Sequence, residues 1–173
     1  MANKKRGTEL ISDMLRSLAV VGVVIVPLWL LIPHHTKQKV TVVDYSTALS
    51  QARRLTTQHL VAPAGLPTTW RPSNVTTSGG NGKPVVFHLG YVTPTNQYAS
   101  LEESDGAQSA FVQTLLGGKP VGLPDVTIGG NAWRSVRGAD GRLALIRPAA
   151  PVTVVVKGTA DVAELRTLAE SLR

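Results

Sequence analysis

Residues 17–32, Ser-Leu-Ala-Val-Val-Gly-Val-Val-Ile-Val-Pro-Leu-Trp-Leu-Leu-Ile, carry no charge, and no later part of the chain repeats that pattern. As a helix these sixteen residues rise about 24 Å, against about 30 Å for a hydrocarbon core. Met14 and Leu15 extend the run, and Arg16 can snorkel to the headgroups along an apolar stem. Trp29 suits an aromatic belt and Pro33 stops the helix. The pattern predicts a transmembrane helix over 17–33. The following Pro33-His34-His35-Thr36 offers no small-residue cleavage site, so the expected segment is an uncleaved anchor.

Beyond it the periodicity changes. Residues 34–40 read as a juxtamembrane linker, and Asp44 is placed to cap a helix over 45–60, with Tyr45, Ala48, Leu49, Ala52 and Leu55 at helical spacing. Residues 61–73 hold Pro63, Pro67 and Pro72 and read as extended chain pinned by Trp70. After a turn at 78–82, alternation over 84–93 puts Val85, Phe87, Leu89 and Tyr91 on one side and Val86, His88, Gly90 and Val92 on the other. Residues 97–103 run back as a second strand, completing a hairpin. A helix over 107–116 ends at Gly117-Gly118. Strands follow near 131–137, 142–147 and 152–157, and a helix over 160–172 is expected behind a Thr159 cap with Asp161 in its first turn. The expected fold is α+β: an N-terminal transmembrane helix, then an antiparallel sheet of about five strands with helices packed on one face. The domains are 1–16, cytoplasmic; 17–33, membrane; 34–40, linker; and 41–173, extracytoplasmic.

Charge sets the orientation. Lys4, Lys5, Arg6 and Arg16 precede the apolar run, whereas Lys37 and Lys39 follow it, which puts the N-terminus in the cytoplasm of a single-pass plasma-membrane protein. The chain carries +7 overall and has no cysteine, so neither a lipoprotein anchor nor a disulfide framework is possible. The basic residues are scattered and form no stripe interleaved with aromatics, which argues against nucleic acid. An envelope protein or an anionic polymer is the expected partner, besides membrane lipid through residues 17–33.

Candidate chemistry is sparse. Glu102, Glu103 and Asp105 form the acidic cluster of the exported part, but neighbours in a strand point to opposite faces, so Glu102 and Glu103 cannot readily share a proton or a metal. No Gly-x-Ser-x-Gly elbow and no cysteine nucleophile is present, and His34-His35 is an incomplete metal site. The Gly-rich turns lack the Lys-Ser/Thr of a phosphate loop. No catalytic residue, metal or cofactor is therefore expected; the chain reads as a non-enzymatic binding module, with an envelope hydrolase or a carrier of an apolar ligand as the alternatives. His88 and Tyr91 are the candidate binding residues; the 84–103 hairpin can present an exposed strand or a side-chain-poor strip to a partner, the alternative being that this face is packed under a helix. Trp70, Tyr91, Tyr98 and Trp133 are otherwise assigned to packing.

Asp13-Met14-Leu15-Arg16-Ser17-Leu18, Leu66-Pro67-Thr68-Thr69-Trp70, His88-Leu89-Gly90-Tyr91-Val92-Thr93-Pro94 and Tyr98-Ala99-Ser100-Leu101-Glu102-Glu103-Ser104 occur together here. So do Val42-Val43-Asp44 and the segment from Thr153 to Ala160. In these segments the sequence resembles an actinobacterial family of single-pass membrane proteins known only as a domain of unknown function. The resemblance implies a membrane anchor and an exported domain. It brings no activity and no catalytic residue.

Overall fold

The computed structural model describes residues 44–147 and 151–173, with Met14, Arg16, residues 18–21, Val23 and Ile25 before them. The chain divides into two compact units, Met1–Lys39 and Val40–Arg173. In the first, the described residues are helical and exposed. Among the described residues no helix is long and apolar enough to cross a membrane. The transmembrane helix expected over 17–33 is therefore not found there, and its remaining residues lie outside the described ones.

The second unit is built on one antiparallel sheet. Its strands are β1 (Arg71–Gly80), β2 (Lys83–Val92), β3 (Tyr98–Ser104), β4 (Val121–Gly122), β5 (Val126–Ile128), β6 (Asn131–Arg137), β7 (Leu143–Arg147) and β8 (Thr153–Gly158). They lie in the order β1-β2-β3-β8-β7-β6-β4, and β5 also pairs with β6. Three helices accompany them: α1 (Ser46–Leu55), α2 (Gln108–Leu115) and α3 (Val162–Glu170).

This corrects the expected architecture twice. Eight strands stand among the described residues where about five were expected. β1 is a polar segment of Ser, Thr, Asn and Gly that carries little alternation of its own and is held by pairing along β2. β4 and β5 are too short to show a period. The helices also lie on both faces of the sheet, not on one. α1 and α3 cover the first face, where Phe87, Leu89, Tyr91, Leu101, Leu145, Val154 and Val156 form the main core. α2 sets Val112 on the second face, against Val136, Ala144, Ile146 and Val155. β7 and β8 are apolar at successive positions because both their sides are covered.

Two local readings change as well. Asp161, not Thr159, caps α3, accepting from the Glu164 amide at 2.8 Å. The Thr159 hydroxyl instead accepts from the Tyr98 amide at 3.0 Å, fixing the start of β3. The 84–103 hairpin has no free edge either: β1 flanks β2 and β8 flanks β3.

Candidate functional site

On the second face α2 shields β6 to β8 and leaves polar residues of β1, β2 and β3 beside it. Alternation puts Tyr98, Ser100 and Glu102 of β3 on this face, and His88 and Gly90 of β2 beside them. The register then sets His88 opposite Glu102, Gly90 opposite Ser100 and, from β1, Asn74 opposite Gly90. The turn linking β2 and β3, with Asn96 at φ 60°, fixes that register.

The side chains close into a network. His88 Nδ1 lies 2.7 Å from Glu102 Oε1, which also accepts from the Ser100 hydroxyl at 2.9 Å. A carboxylate only accepts, so these partners assign the imidazole proton to Nδ1 and leave Nε2 as an acceptor. Asn74 Nδ2 meets Nε2 at 2.8 Å and the Tyr98 hydroxyl meets it at 3.1 Å. Ser73 donates to Asn74 Oδ1 at 3.1 Å and so orients the amide. Gly90 makes the assembly possible, because a Cβ there would stand 2.0 Å from Asn74 Oδ1 and 2.4 Å from the Tyr98 hydroxyl. Glu102 is 4% exposed, the His88 side chain 20%, and Asn74 is exposed. Burial, the largest cause, pushes the Tyr98 phenol above its ordinary value; the Glu102 charge adds to that and the Asn74 bond opposes it. The site is thus a buried carboxylate that orients an imidazole, under an exposed layer of amide and hydroxyl groups.

One step further along β2 and β3 the same face becomes apolar. Pro84, Val86, Gly106, Ala110 and Phe111 line an open cleft of about 230 Å³ between the strands and α2. Polar network and cleft share one surface.

The other sequence candidates go elsewhere. Tyr91 faces the first-face core, its ring edge-on to Tyr45 and Trp70 at 6.4 and 6.1 Å, and does not join His88. Its burial raises the phenol pKa, with the Tyr45 hydroxyl adding to the shift. The acidic cluster splits three ways. Glu102 enters the network, while Glu103 turns into the core, where Oε1 accepts from the Val61 amide at 3.0 Å. Asp105 joins segments, accepting from the Val85 amide and the Thr56 hydroxyl, each at 2.7 Å. Burial pushes Glu103 up to about 7, opposed by the Val61 bond, Arg147 and Arg53. Among the described residues no group of three or more His, Asp or Glu side chains is placed to hold a metal. His34-His35 lies outside the described residues.

Sequence reasoning missed Asn74 and Tyr98 as partners of His88, and Ser100 as a partner of Glu102. The signal for Tyr98 and Ser100 was present, since counting back two and four residues from Glu102 reaches them on one face. Asn74 had no such signal, because β1 was not legible.

A family model matches residues 6–172. The chain belongs to the family described as Protein of unknown function (DUF4245). The DUF4245 match spans both the apolar run and the whole sheet, so it includes the His88 network and the cleft beside it. No curated protein and no solved structure matches the chain.

Proposed function

We propose that this DUF4245 chain is a cell-envelope protein attached to the plasma membrane through its apolar run, with the sheet domain on the outer side acting as a binding module and not as an enzyme. The observation that carries the binding role is the His88–Glu102–Asn74–Tyr98 network beside an apolar cleft. A hydrogen-bonded network at an open surface, built over a glycine that clears its space, is preorganised for recognition. Its exposed group is the Asn74 amide, with the Tyr98 hydroxyl half-exposed behind it. They suit an envelope partner that presents hydrogen-bonding groups next to an apolar one. Nε2 of His88, the atom a general base would use, is occupied by Asn74 and Tyr98, which favours binding over the hydrolase alternative. The support for attachment is the uncharged sequence of residues 17–32 and the excess of bases before it.

The test is co-purification from intact membranes. Asn74→Ala combined with Ala110→Trp, which fills the cleft, should release the partner that the unaltered chain retains. Asp125→Asn, an exposed change away from the site, should retain it. Retention by all three chains would remove this surface from consideration.

A further inference from the structure

The sheet has two edges, and they are finished differently. At one end it narrows to β4, two residues preceded by Pro120. At the other stands β1, ten residues long and paired with β2 on its inner side. Among the described residues no segment other than β2 hydrogen-bonds to the backbone of residues 71–80. The register is regular from Asn74 to Ser78, between irregularities at Pro72/Asn74 and Ser78/Gly80. No charged residue stands between Arg71 and Lys83, in a chain of net charge +7. Proteins commonly guard a sheet edge with lysine, proline or a very short strand. β4 is guarded in this way, and the Asn74–Ser78 stretch of β1 is not.

α1 lies along the same edge on the first face. Tyr45, just before it, meets Tyr91, which pairs with Pro72. Leu55, at its end, comes within 3.2 Å of where a Cβ on Gly80 would stand. The helix therefore runs in the direction of β1, with Asp44 ahead of its first turn and Arg53 and Arg54 in its last. Leu55 is 47% exposed although it sits over the edge strand.

We infer that β1 is a self-association edge, pairing antiparallel with β1 of a second copy of this chain about a two-fold axis near Thr76. The backbone groups that β1 turns away from β2 then gain partners, and two sheets join into one. The pairing is self-complementary. It sets Thr76 opposite Thr76, Asn74 opposite Ser78 and Val75 opposite Thr77, so polar and β-branched groups meet and no like charges face each other. It also lays the two α1 helices side by side and antiparallel, so that the Asp44 end of each approaches the Arg54 end of the other. An uncharged strand is where two copies of a +7 chain approach with least repulsion. The inference rests on the proposed membrane attachment only in that chains tethered to one surface meet at a raised effective concentration.

The chain has no cysteine, so single changes give unique cross-linking positions. Asn74→Cys, Val75→Cys, Thr76→Cys, Thr77→Cys and Ser78→Cys are each made in the full chain and oxidised in native membranes, with Val121→Cys on β4 as the control. A residue on the two-fold axis faces its own copy at about 5 Å. Residues one and two positions away stand roughly 8 and 14 Å from theirs, beyond disulfide reach. Disulfide-linked dimer should therefore peak at one position, Thr76 for the pairing above, at about tenfold or more over the control. A single peak elsewhere within Asn74–Ser78 supports the same edge with the axis shifted. In detergent, sedimentation equilibrium of the full chain should show a dimer whose Kd rises about tenfold or more with Thr76→Lys, which sets like charges across the axis, and hardly changes with Thr76→Ser. Thr76 is exposed, so neither change burdens the fold. Equal yields at all five positions, or none above the control, overturn the inference. A dimer indifferent to Thr76→Lys also overturns it, placing association elsewhere in the chain. Adducts formed solely with other proteins overturn it in favour of a foreign strand on the same edge.

Discussion

Glu102 and Glu103 are neighbours in one strand, yet they belong to two different chemistries. The first face of the sheet closes under α1 and α3, and Glu103 is shut inside it with Oε1 held by Val61 and Oε2 without a partner. The second face is half covered by α2, and Glu102 there receives both Ser100 and His88 and leads outward to Asn74 at the surface. The backbone is the same and the side chain is the same. What differs is whether a helix lies above, and the consequence is that one carboxylate is an unfavourable burial while the other is the base of an outward-facing network.

The largest effect that tests the contrast is in packing. Phe87 is fully buried on the first face, and Phe87→Ala should cost about 3–5 kcal/mol of stability, read by urea denaturation of the full chain. Val86, its neighbour facing the cleft, is half-buried, so Val86→Ala should cost under about 1 kcal/mol. Equal losses would show that the cleft is packed as tightly as the core and is not a site.

The next effect is electrostatic. Glu103 ionises near 7 in the fold against an ordinary 4.5, so the folded chain holds a proton that the unfolded chain gives up. Stability should therefore be greatest below pH 4.5 as far as this group is concerned, fall as pH rises to about 7, and then level off. The drop is at most roughly 3 kcal/mol, from 1.36 kcal/mol per pKa unit. Glu103→Gln should remove this slope and stabilise the chain most at alkaline pH. A slope that persists in Glu103→Gln would assign the titration to another group.

The two faces were unequally legible in the sequence for a physical reason. β2 and β3 announce themselves because one side of each strand meets a core, and strict alternation follows. β1 has only Val75 packed against the main core, so its Ser, Thr and Gly residues read as loop, and the strand exists because β2 supplies its hydrogen-bonding partner. The three successive valines Val154 to Val156 are apolar on both sides of the strand, which fits covering on both faces and hence α2 on the second face. Of the site, the divergence of Glu102 from Glu103 followed from the period of two. The approach of His88 to Glu102 needed the register, which depends on the length of the turn after Thr93. Asn74 needed a strand that carried no pattern.

The smallest effect separates a structural staple from a recognition site. His88→Val alone removes one of the two donors to Glu102 Oε1 and leaves a buried carboxylate under-satisfied, which should cost about 1–3 kcal/mol. His88→Val with Glu102→Val removes both partners and replaces them with residues suited to a strand, so the double variant should be neutral or more stable than the parent by about 1 kcal/mol. It should nonetheless lose the envelope partner, because Asn74 and Tyr98 no longer have Nε2 to hold them in place. Stability recovered while binding is lost would mean that the network costs the fold something and is kept for what it contacts. If instead the double variant is destabilised by about the sum of the two single changes, the residues act independently as packing. The second face would then differ from the first only in how much of it a helix happens to cover.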